Sequence, residues 1–111
     1  MGPIARSMAV CFVILLLLVP ITWASAIGDI LKEMRADAKQ GDADAQYNLG
    51  FMYSEGLGVS RNYVLAYMWT DLAAAQGDQD AIELRDKLFM EMTPSQIIKA
   101  HKMAREWKPK R

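Results

Sequence analysis

Cysteine is nearly missing from this chain of 111 residues: the one copy, Cys11, lies in an apolar N-terminal run, and none follows it. A disulfide framework is thereby excluded, although an oxidising compartment would permit one. Histidine is as scarce. His101 stands alone, with neither a cysteine nor a second histidine to share a zinc ion. Flanked by Lys99 and Lys102, it is expected on a solvated edge. The sequence has no glycine-rich phosphate loop, no nucleophile elbow and no histidine–carboxylate constellation. Strand-type alternation with a period of two is missing throughout. The aspartate pairs Asp42/Asp44 and Asp78/Asp80 lack the longer oxygen series and closing glutamate of a calcium loop. Their place at helix starts suits capping and dipole stabilisation instead. No catalytic residue, cofactor or metal is expected.

What is present begins with a leader. Arg6 supplies a positive start, Met8 to Val19 is apolar, Pro20 breaks the run, and Ala24-Ser25-Ala26 has the form of a cleavage site. Residues 1–26 are therefore expected to be a signal peptide, with export to the periplasm or beyond. The alternative is an uncleaved anchor, although the apolar run is shorter than the ~20 residues a span needs. Cleavage at Ala26 leaves 85 residues, one modest domain whose stability must come from a packed core. Charge is unevenly placed. Lys99 to Arg111 holds six bases and one acid, whereas residues 27–98 hold twelve acids and six bases. An acidic body of this kind is a poor nucleic-acid surface.

The body nearly repeats itself. Gln40-Gly41-Asp42-Ala43-Asp44-Ala45 returns as Gln76-Gly77-Asp78-Gln79-Asp80-Ala81, an offset of 36 residues. Recurrence at this length, filled with helix-type residues, marks stacked helical hairpins. Five helices are predicted, over about 27–40, 43–55, 62–76, 79–92 and 94–107. Ala45, Leu49 and Tyr53 form the inner stripe of the second, and Leu65, Ala66, Trp69, Leu72 and Ala73 that of the third. Gly41 and Gly77 occupy left-handed C-terminal positions, and Gly56-Leu57-Gly58 makes the hairpin turn. Thr93-Pro94-Ser95-Gln96 is a capping box with proline at the first helical position. Gly50 and Ala66 are notches for close backbone approach, and Trp69, Tyr53 and Tyr63 fill the wider gaps.

Ala45-x3-Leu49-Gly50-x2-Tyr53-x2-Gly56-x-Gly58-Val59, followed by Ala66-x2-Trp69-x3-Ala73-Ala74-x2-Gly77, closely resembles the Sel1-like repeat, a relative of the tetratricopeptide repeat. The resemblance implies an all-α fold, a short α-solenoid of antiparallel hairpins. One complete unit spans about 43–78, half units flank it within 27–92, a capping helix covers 93–107, and 108–111 is a basic tail. It also implies protein–protein contact, as adaptor or scaffold, without catalysis. A cysteine-rich secreted branch of the family has paired cysteines in its repeats; this chain has none, so no disulfide or hydrolase property carries over, and a small secreted hydrolase is the weakest alternative. A stack normally needs about three units, so the outer helices must act as caps, or the chain must pair with itself or a partner.

By analogy with tetratricopeptide relatives, the first helix of each pair lines a concave groove. In the second helix that places Asp44, Tyr47, Phe51, Ser54 and Glu55 at the groove as partner-binding residues. Tyr47, Phe51 and Glu55 share a face at i, i+4, i+8, offset from the Leu49/Tyr53 stripe. The expected partner is a protein or peptide rather than nucleic acid, and the chain meets a membrane only if the leader is retained. The basic end is read as a solvated helix face and frayed tail.

Overall fold

The structure, a computed structural model, describes residues 23–109. The apolar run Met8–Val19 and the last two residues of the basic tail lie outside them. The chain divides into two compact units, Met1–Ile30 and Leu31–Arg111. In the first, residues 23–30 are helical. The second opens with helix α1 (31–40) and continues with α2 (Ala43–Glu55), α3 (Tyr63–Ala75), α4 (Gln79–Glu91) and α5 (Pro94–Glu106). No strand occurs among the described residues. Four of the predicted helices agree within a residue or so at each end. The earliest differs: helix is expected from Ile27, yet residues 23–26, the first described, are helical as well. The cleavage motif sets the expected boundary, but no helix breaker lies between Pro20 and Gly28.

The starts of α2 to α5 are each fixed by a side chain that satisfies a free backbone donor. Asp42 accepts from the Ala45 amide at 2.8 Å, Asn62 from Leu65 at 3.1 Å and Asp78 from Ala81 at 2.9 Å. Thr93 and Gln96 cap one another reciprocally, with Pro94 as the first helical residue. Gly41 and Gly77 take positive φ, 104° and 93°, and the aspartates after them have matching angles, φ −67° with ψ 117° and 116°. The two junctions are thus the same joint made twice. Between α2 and α3 the chain turns at Gly56, φ 72°, whose N–H donates to the Met52 carbonyl at 2.8 Å. Asn62 N–H then reaches the Tyr53 carbonyl at 2.9 Å and ties the turn shut.

Helix α3 is the centre, and α2, α4 and α5 all pack on it. One core cluster joins Leu31 and Ala38 of α1 with Ala45, Leu49, Met68 and Trp69, and Trp107 closes it. A second gathers Ala66, Tyr67, Leu88, Met92 and Ala100. The third is a layer of alanines, Ala73, Ala74 and Ala81, under Tyr47 and Ile82. Gln46 is fully buried; its amide donates to the Ala38 carbonyl at 3.2 Å and accepts from Gln76 at 2.9 Å. Gln76 also donates to the Gly41 carbonyl, so one polar chain links both interhelical joints. A glutamine in the core is stable only when its amide is satisfied in this way.

Candidate functional site

Helices α2 and α4 pack side by side and form the face on which the groove was expected. On α2, Asp44, Tyr47, Phe51 and Glu55 fall at i, i+3, i+7 and i+11, a single stripe. Asp44 and Glu55 are exposed at its two ends. Phe51 remains 39% exposed in the middle, its ring 6.4 Å from that of Tyr47. Tyr47 itself is half-buried against the alanine layer and joins α2 to α3 and α4. Ser54 is buried, its hydroxyl donating to the Phe51 carbonyl at 2.7 Å. Of the five residues singled out in the sequence, Asp44, Phe51 and Glu55 are therefore open to solvent. Tyr47 is shared between face and core, and Ser54 is a wall.

Beyond Ser54 the face deepens into a cleft of about 280 Å³. Ser54 and Glu55 form one side, Leu84, Lys87 and Glu91 of α4 the other, and Arg61 and Tyr63 the end. The Arg61 guanidinium stacks over the Tyr63 ring at 5.2 Å, a cation–π arrangement that orders the cationic rim. At the opposite end of the stripe the surroundings are acidic. Burial, and after it the carboxylates of Asp80, Asp78 and Glu83, push the Tyr47 phenol above its usual 10.0. Within the described residues no group of three His, Cys, Asp or Glu side chains is placed to hold a metal ion. No described helix is long and apolar enough to cross a membrane.

A second cluster was not foreseen. His101, expected on a solvated edge, has two partners. Its Nε2 lies 3.2 Å from the Tyr67 hydroxyl and its Nδ1 3.5 Å from Asp71 Oδ2. The imidazole thus shares a hydrogen bond with the phenol on one side and lies within ion-pair distance of the carboxylate on the other. Arg85 of α4 reaches the other Asp71 oxygen at 3.5 Å, so Asp71 on α3 is held by α4 and α5 together. Tyr67 is buried and its ring meets the imidazole edge-on at 5.1 Å. The cluster clasps the last two helices to the central one. Local sequence hid it, because the partners of His101 lie 34 and 30 positions upstream. The available signal was Tyr67 and Asp71, polar groups spaced i, i+4 on a largely apolar helix.

Residues 43–78 match the Sel1 repeat family. Among solved structures, the chain is similar to a protective antigen present in uropathogenic Escherichia coli strains displaying an SLR fold, with 33% identity and a TM-score of 0.67. The similarity covers 69% of this chain and 17% of the antigen, so the matching region is a small part of that protein's length. No curated protein matches. The repeat coincides with the unit from the Asp42 cap to the Asp78 cap, and the fold agrees over most of the described helices, so residues 43–78 are a Sel1-like repeat within a helical fold of the SLR type.

Proposed function

We propose that this chain is an exported, non-catalytic adaptor whose α2/α4 groove holds an extended segment of a partner protein. Sel1 repeats mediate protein–protein interaction. The observation that carries the groove assignment is Phe51, a large apolar ring left 39% exposed between an aromatic neighbour and a cleft. Exposed aromatic surface of that kind gives binding energy that a solvated helix face does not. The charges around it define the partner. Asp44, Glu55, Asp80, Glu83 and Glu91 on the two helices outnumber Lys87 of α4 and Arg61 at the end of the cleft, so a segment bearing lysine or arginine is favoured.

Crosslinking capture from the native source tests the groove. Wild type and Leu57→Ala, which alters an exposed apolar residue on the α2–α3 turn, should recover the same partner, and Phe51→Ala should lose it. Equal recovery by all three would remove the groove assignment. Export is supported by the leader alone. The mass of the exported species decides it: a product lacking residues 1–26 is expected, and an intact N-terminus in the envelope would replace cleavage with anchoring.

A further inference from the structure

The α4–α5 hairpin ends the described stack. Its inner side is occupied, since Leu88, Met92, Ile97 and Ala100 pack with Ala66 and Tyr67 of α3. Elsewhere on it stand Phe89, Met90 and Ile98, with exposures of 54%, 87% and 68%. Helix register shows what these positions are. Aligned by their capping aspartates, α4 repeats α2, and Met90 stands where α2 has Ser54. Aligned by Asn62 and Thr93, α5 repeats α3, and Ile98, Lys102 and Arg105 stand where α3 has Tyr67, Asp71 and Ala74. Those α2 and α3 positions are the ones that receive the following hairpin. Ser54 is buried, Tyr67 and Asp71 hold His101, and Ala74 packs with Ala81. The last hairpin thus presents the receiving surface of a repeat. On that surface three large apolar side chains, Phe89, Met90 and Ile98, stand in the open beside exposed charges.

We propose that this end face is a homodimer interface, covered by the same face of a second copy. Its charges are self-complementary. Asp86 on α4 is 72% exposed at its side chain, and Lys102 and Arg105 on α5 are exposed. A two-fold axis parallel to the helices lays α4 of one copy on α5 of the other, at equal distance from the Met92–Thr93 turn. At 1.5 Å per residue, Phe89 and Ile98 lie roughly 5 and 7 Å from that turn, and Asp86 and Lys102 roughly 9 and 13 Å. Ring therefore meets aliphatic chain near the turn, and acid meets base farther along. Among the described residues Arg85, at 3.8 Å from Asp86, is the intramolecular competitor, and it is itself engaged by Asp71. The net charge of the whole chain is zero, so no long-range repulsion separates two copies.

Disulfide trapping in the full chain, with Cys11→Ser as background, tests this. Phe89→Cys and Ile98→Cys are made in separate chains, mixed and oxidised, so a mixed disulfide between them can form only across copies. A covalent dimer is expected, with a yield well above that of a mixture in which Leu57→Cys replaces Ile98→Cys. Adding Asp86→Lys to both chains should lower the yield about tenfold, and adding Lys102→Glu as well should restore it. Phe89, Ile98, Leu57, Asp86 and Lys102 are all at exposed positions, and unchanged helical circular dichroism verifies folding. Equal trapping at Leu57, or a yield indifferent to Asp86→Lys, overturns the proposal.

Discussion

At Gly50 the backbone of α2 lies directly against α3. A Cβ there would strike Thr70 Oγ1 and stand 3.0 Å from the Ala66 carbonyl oxygen. Thr70 cannot yield, because it is fully buried and its hydroxyl donates to that same carbonyl at 2.6 Å. Gly50→Ala should therefore cost about 1–3 kcal/mol, the usual price of overpacking, read as a lower urea midpoint at unchanged slope. Tyr67 governs behaviour in alkali. Burial first, and then the Asp71 carboxylate, hold its phenol above the usual 10.0, with Arg85 opposing. A raised folded-state value means that its contribution to stability is complete below pH 10 and is lost as pH climbs through the raised value. Melting temperature should thus be insensitive to this group up to about pH 10 and then fall. In Tyr67→Phe the fall should be shallower, on a baseline lower by about 1 kcal/mol for the lost hydrogen bond to His101. Melts followed by circular dichroism across that range measure both effects, and Tyr47, raised in the same direction, leaves a residual slope.

At the scale of the helix, the starts and stops were legible because they are written in local chemistry. Asp42, Asp78 and Thr93 cap the helices they were expected to cap, and each depends on residues within one turn. Asn62, expected as the first helical residue, is a cap as well. Thr93→Ala removes the acceptor for the Gln96 amide and half of the capping box. It should cost about 1 kcal/mol, and hydrogen exchange should rise first in α5. The less legible features join residues distant in sequence. The burial of Gln46 depends on Gln76, 30 positions away. The groove stripe was readable as a spacing, but spacing does not say which members are covered. Ser54 is buried and Tyr47 half-buried because α4 lies alongside, a matter of tertiary packing rather than of α2 itself.

For the whole molecule, Trp69 carries the greatest weight. It lies at 7% exposure in the cluster that draws on α1, α2, α3 and α5, with the Trp107 ring edge-on at 6.2 Å. Trp69→Ala should cost roughly 3–5 kcal/mol, a large part of what a domain this small has in reserve. Because the cluster reaches four helices, the loss should appear as one cooperative shift in denaturant unfolding rather than as release of a single helix. A biphasic curve would show that the helices hold together independently. The Gln-Gly-Asp joint bears on how such a chain can change over time. Its two occurrences agree within 11 degrees in φ at glycine and one degree in ψ at aspartate, so the backbone of the joint is the same whichever helices it connects. Duplication or deletion of one unit, from Ala43 to Asp78, would leave both splice points with the angles they already have, letting the length of the rod drift while its pitch stays constant.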